Sequence, residues 1–155
     1  MNAEQILKEK YGLEIPAPPK PGGIYSPACR TGNLLYLSGQ TCTENGVPKF
    51  TGTVGDTLTI EEGQKAAQLC ALNLLSVLKA ALDQDLSRVR RIVQLIGFVR
   101  CQPDFCDQPQ VINGASQLFK DLFGEDGMPS RMALGTNALP GGAAVEILLV
   151  VEITD

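Results

Sequence analysis

The segment that most narrows the fold lies near the end of the chain, where Ala143 to Ile153 reads AAVEILLVVEI and only Glu146 and Glu152 interrupt the apolar run. It is too short for a membrane helix, which needs about 20 apolar residues, and its β-branched content favours a strand. An antiparallel strand normally meets water on one face. Apolar residues on both faces therefore imply cover on both, from helices of the same chain on one side and from a neighbouring subunit on the other.

The preceding chain supplies the partners for such a strand. A strand over about Arg131 to Thr136 joins the last one through a turn at Leu139-Pro140-Gly141-Gly142. Thr59 and Glu62 form a capping box, and Ala67, Cys70, Leu74, Val77, Leu78 and Ala81 recur at helical spacing, which predicts a long helix ending near Asp83 to Leu86. Arg91 to Val99 reads as a strand. A second helix is predicted from Pro109 to Phe123, with Val111, Ala115, Leu118, Phe119 and Leu122 inward and Gly124 as its stop. Tyr25 to Gln40 reads as a hairpin around Gly32-Asn33, its second strand running from Leu34 to Ser38. Thr41 to Gly55 contains Asn45-Gly46 and predicts an irregular loop or a second hairpin. At the N-terminus, Glu4 to Leu13 predicts a short amphipathic helix, and the proline-rich Ile15 to Pro21 an extended tether. Residues 1–21 thus read as an extension and 22–155 as a single α+β domain.

Composition limits the chemistry more than the fold. The 155 residues contain no histidine, so a Ser-His-Asp triad, a Cys-His pair and a histidine zinc site are all excluded. Any acid or base must be a carboxylate, Tyr, Lys, Cys or water. The five cysteines are an odd set without a C-x-x-C pair, which predicts reduced thiols and no metal site. Seventeen acidic against thirteen basic residues give a net charge of −4, a poor balance for holding nucleic acid. No segment is long and apolar enough for a membrane span, and the charged N-terminus lacks a signal-peptide pattern, so the expected location is the cytoplasm. Leu139 to Ala144 has the glycines of a phosphate loop but neither its lysine nor its helix, and no cofactor is expected.

Two residues carry the most chemical interest. Glu146 lies inside the apolar run, where a carboxylate must be paired, hydrogen-bonded, protonated or at a wet edge. Arg131 follows Gly127-Met128-Pro129-Ser130 at a strand start, where a guanidinium either pairs with a nearby acid or clamps a ligand carboxylate through two hydrogen bonds. Tyr25 is a packing residue or a cleft wall, and Ser38-Gly39 a turn or a source of hydroxyl and N–H donors.

Taken together, Gly23-Ile24-Tyr25, Gly32 to Gln40, Pro129-Ser130-Arg131, Leu139-Pro140 and Ala144-Val145-Glu146-Ile147 resemble the reactive intermediate deaminase (RidA, formerly YjgF) family from about Tyr25 to Glu152. The segments Gly97-Phe98-Val99, Pro103-Asp104-Phe105 and Gln108 to Ser116 resemble a longer, less characterised branch of it. The resemblance implies a chorismate-mutase-like α+β fold, a mixed sheet packed on two helices, in which three subunits form a central barrel with ligand clefts between neighbours. It implies that Arg131 grips a substrate carboxylate, that Glu146 orients the attacking water and that Tyr25 lines the cleft, with Ser38, Gly39 and Asn113 at other cleft positions. Ala133 stands where many members carry Cys, and this alters the cleft wall.

The activity so implied is hydrolysis of small 2-imino acids to 2-keto acids and ammonia, which needs an anchored carboxylate and a positioned water rather than histidine, metal or cofactor. A non-catalytic trimer that binds a small carboxylate metabolite is the alternative. Ribonuclease activity, a label some relatives carry, fits the acidic balance and missing histidines least well.

Overall fold

A computed structural model describes residues 1–155. The sheet is built around the closing strand β7 (Val145–Ile153), which lies between β2 (Leu34–Thr41) and β5 (Val89–Arg100). The full order is β1-β2-β7-β5-β6, with β1 at Ala28–Thr31 and β6 at Ser130–Thr136. All neighbours are antiparallel except β5 and β6. Parallel neighbours need a crossover, and helix α3 (Gln108–Phe123) provides it. The small hairpin of β3 (Thr43–Glu44) and β4 (Val47–Pro48) turns at Asn45-Gly46, so the Thr41 to Gly55 segment takes the hairpin alternative.

Helix α2 (Ile60–Ala81) starts at the expected capping box, with the Glu62 N–H donating to Thr59 Oγ1 at 3.1 Å and the Thr59 N–H to Glu62 Oε1 at 3.1 Å. It packs with α3 on one face of the sheet. The helices touch at Gly114, where a Cβ would stand 2.1 Å from the Gln64 carbonyl oxygen, so no larger residue fits. On β7, Val145, Ile147, Leu149, Val151 and Ile153 are all at most 2% exposed and face these helices. The buried Asn73 donates to the Thr41 and Thr43 carbonyls at 3.0 and 2.8 Å, fastening the start of the hairpin to α2.

The opposite face is covered only in part within one chain. Tyr36, Met132 and Leu134 are 49%, 53% and 37% exposed, next to the half-buried Ile96, Phe98 and Leu148. Several boundaries also move. Strand β2 runs three residues beyond Ser38, β5 extends the expected 91–99 to Val89–Arg100, and α3 begins one residue before Pro109. No helix is long and apolar enough to cross a membrane.

The N-terminal segment is helical over Ala3–Ile6 (α1) and continues as a π-helical turn over Leu7–Tyr11, stopping at Gly12 rather than Leu13. It is packed into the domain. Leu7 is 1% exposed and belongs to the same core cluster as β7 and both long helices. The Tyr11 hydroxyl donates to Asp121 on α3, and Lys10 Nζ stands 2.9 Å from the same carboxylate. That hydrogen bond from Tyr11, aided by Lys10, holds the Asp121 carboxyl below its usual pKa, while burial and the acceptor push the Tyr11 phenol up. Leu7→Ala should therefore act as a core truncation, costing about 2–5 kcal/mol in a urea unfolding curve followed by circular dichroism. A loss below about 0.5 kcal/mol would show the segment to be a loosely attached appendage.

Candidate functional site

Arg131 is the second residue of β6, opposite the fully buried Leu95, and its side chain lies on the helix side of the sheet. Its Nη1 donates to Asn113 Oδ1 at 2.7 Å and to Ser116 Oγ at 3.1 Å. These acceptors are three residues apart on α3 and share one helix face. Both are neutral, and Arg131 forms no ion pair. The guanidinium is thus oriented without being neutralised, and its remaining N–H groups face an open groove of about 740 Å3 that Lys65, Lys120 and Met128 also line. Ala133, two residues further on, packs against the core opposite Gly97 and does not line this groove.

Glu146 occupies the other side. It is the second residue of β7, opposite Thr41 and Phe98, and alternates with the inward-facing Val145 and Ile147. The carboxylate is half-buried, and none of its oxygens accepts a hydrogen bond from the protein. Burial alone raises its pKa. The neighbouring strand makes the necessary space. Between Leu37 opposite Leu149 and Gln40 opposite Ile147, the two residues Ser38 and Gly39 face Leu148 alone, which is a β-bulge. A Cβ on Gly39 would lie 2.5 Å from Glu146 Oε1, so a larger residue here would push the end of that carboxylate aside. Ser38 Oγ donates to the Ser26 carbonyl at 2.7 Å, and the Tyr25 hydroxyl accepts from the Gly22 N–H at 3.1 Å.

The sequence-derived residues therefore fall into two groups within one chain. Tyr25, Ser38, Gly39 and Glu146 line a single groove of about 1090 Å3, whereas Asn113 and Arg131 line the other. Arg131 and Glu146 are separated by β5 and point to opposite sides of the sheet. Asn113 lies in the second turn of α3, and its side-chain oxygen accepts from Arg131. Two contributors escaped the sequence reading. Ser116 was signalled by its three-residue spacing from Asn113, and the proline-rich segment, which walls the Glu146 groove, gave no sign of its position. No three Cys, Asp or Glu side chains cluster as metal ligands.

Residues 7–153 match the family model described as "YjgF/chorismate_mutase-like, putative endoribonuclease". The chain is a member of the YjgF/RidA family. Its α+β fold is shared with solved relatives: the Agrobacterium tumefaciens protein Atu1372, of unknown function, is 45% identical with a TM-score of 0.92, covering 98% of this chain and 92% of that one. Protein TCP17 of Trypanosoma cruzi is 41% identical over 95% of this chain and 92% of its own length. A 2-iminobutanoate/2-iminopropanoate deaminase of Dermatophagoides farinae is 29% identical over 95% of this chain and 99% of its own length.

Within this YjgF/RidA fold, the raised pKa of Glu146 has a definite sign. The folded chain binds that proton more tightly than the unfolded chain, so the group favours folding below the unfolded carboxylate pKa and opposes it as pH rises through the raised folded value. Glu146→Gln should raise the melting temperature near neutral pH, and the gain should vanish in acid where both states are protonated. A gain independent of pH would mean that something other than ionisation strains this position.

Proposed function

We propose that this YjgF/RidA protein hydrolyses small 2-imino acids to 2-keto acids and ammonia, in clefts completed when three copies join their partly apolar sheet faces. The observation that carries the proposal is the un-neutralised Arg131, held by Asn113 and Ser116 so that its free N–H groups can take a carboxylate in parallel hydrogen bonds. The opposed placement of Arg131 and Glu146 supports a shared cleft, because a second copy can bring its Glu146 to the first copy's Arg131. Exposed Tyr36, Met132 and Leu134 supply apolar area for that association.

In this mechanism Arg131 fixes the carboxylate and sets the imine carbon beside Glu146. The carboxylate of Glu146 accepts a hydrogen bond from water and orients its oxygen toward that carbon. The water oxygen bonds to carbon as the C=N pair shifts to nitrogen. Glu146 relays the water's first proton to nitrogen, and the C–N bond breaks as the oxygen's electron pair forms C=O and its remaining proton passes to Glu146 or solvent, leaving a keto acid and ammonia. Positioning supplies most of the acceleration, since the iminium carbon is already electrophilic. Hydrolysis should weaken as acid protonates Glu146, beginning at a higher pH than for an ordinary carboxylate.

The second reading, a non-catalytic carboxylate binder, draws on the Ser38 hydroxyl and Tyr25 hydroxyl both being engaged by neighbouring backbone. The assay that separates them generates 2-aminoacrylate with a dehydratase and follows keto-acid release. Wild-type protein should accelerate release, and Arg131→Ala should lower kcat/KM by roughly 30- to 1,000-fold, the worth of a lost bidentate charged contact. Carboxylate binding by calorimetry without acceleration would select the binder. An Arg131→Ala enzyme as fast as wild type, or a monomer by sedimentation, would overturn the proposed cleft.

A further inference from the structure

We infer that the Arg131 groove selects 2-imino and 2-keto acids that carry a second anionic group, met by Lys65 and Lys120, an inference that rests on the carboxylate-binding reading above. In a chain of net charge −4, eight of the thirteen Lys and Arg side chains meet a carboxylate. Of the five that do not, Lys65, Lys120 and Arg131 line this one groove. The single carboxylate among the lining residues is Glu61. It stands four residues before Lys65 on α2, the spacing of a helical ion pair, and forms none.

The acid next to Lys120 in the chain is spent elsewhere. Asp121 accepts from the Tyr11 hydroxyl and from Gln117 Nε2 at 3.0 Å, and Lys10 Nζ stands 2.9 Å from it. Lys120 follows Asn113 by seven residues, so it lies on the α3 face that holds Arg131, two turns or about 10 Å further along. Lys65 lines the groove from α2. The two helices are fixed to each other there, by the close contact at Gly114 and by Gln64 Nε2 donating to the Gln110 carbonyl at 2.9 Å. Arg131 can therefore take one carboxylate in paired hydrogen bonds while the lysines, point charges on long stems, meet an anion at the far end of the ligand. All three cations belong to one copy, so their sharing of a groove does not depend on how a second copy closes the cleft.

The test is calorimetry on the intact protein with 2-oxoglutarate, 2-oxo-4-phosphonobutanoate and the 5-methyl ester of 2-oxoglutarate, which keeps the chain but lacks the second charge. Wild type should bind at least one of the two doubly charged acids about fivefold more tightly than the ester at low salt, the scale of two exposed charge contacts, and the ratio should shrink as salt is raised. Which acid binds better tells a carboxylate tail from a phosphate-like one. The double variant Lys65→Gln, Lys120→Gln should bring the ratio below about twofold, and Lys65→Arg, Lys120→Arg should retain it. Equal affinities for all three ligands in wild type, or a preference that survives loss of both lysines, would overturn the second-anion site while Arg131→Ala still weakens the ester. Failure of the underlying reading looks different: Arg131→Ala would bind all three as tightly as wild type, and both conclusions would fall.

Discussion

Strand β7 must satisfy two unlike faces at once, and the remaining architecture follows from how it does so. Its inward residues, Val145 to Ile153 at every second position, are fully removed from water by α2 and α3. The hydrophobic contribution of five such side chains, at about 1.5–3 kcal/mol each, is as large as the net stability of a typical domain, so the strand sits at the centre of the sheet where neighbours also pair its backbone. Its outward residues, Glu146, Leu148, Val150 and Glu152, mix charge with apolar surface. One-residue slippage would exchange the two sets and bury both carboxylates, which fixes the register against β2 and β5.

That register in turn keeps the two charges of interest apart. Arg131 and Glu146 would neutralise each other if they met in one chain, and an internal ion pair leaves little affinity for a ligand carboxylate. Here β5 stands between them and the pleat sends them to opposite sides. Each keeps its charge free for a ligand: Arg131 is exposed and bonded only to neutral oxygens, and Glu146 is a carboxylate half out of water with no donor, which alone costs free energy. Structural ion pairs on this surface behave differently, as Glu152 shows by meeting Arg90 and Arg91 at 3.5 and 3.0 Å. The contrast between satisfied and unsatisfied charges is what distinguishes a site from a decorated surface.

Much of this was legible in the chain because local chemistry and tertiary demand agree. Thr59 with Glu62 and the terminating Gly124 delimit the helices, and the apolar run at 143–153 marks the central strand. The bulge was not legible. Ser38-Gly39 inside β2 looks like a strand end, because small polar residues weaken the pattern whether the chain stops or merely adds one residue; only the pairing that resumes with β7 at Gln40 and Thr41 decides between them. The attachment of the N-terminus was hidden for a different reason: the contact of Tyr11 with Asp121 joins residues 110 positions apart, and no periodicity reports a pair at that separation. Arg131 was visible as a candidate, while its support by Ser116 needed the fold to bring α3 beside β6.

The bulge also explains why the extension and the carboxylate belong to one device. Ser38 uses both its N–H and its hydroxyl on the carbonyls of Pro27 and Ser26, which fixes where the proline segment rejoins the sheet. The next residue, Gly39, has no side chain to crowd Glu146. A regular strand would send Ser38 and its successor to opposite faces and keep the backbone too straight to do both. The extra residue bends β2 locally, so the segment that anchors the wall and the gap that admits the carboxylate are set by one backbone irregularity. Moving either would move the other, and the shape of the groove is thereby tied to the position of its acid.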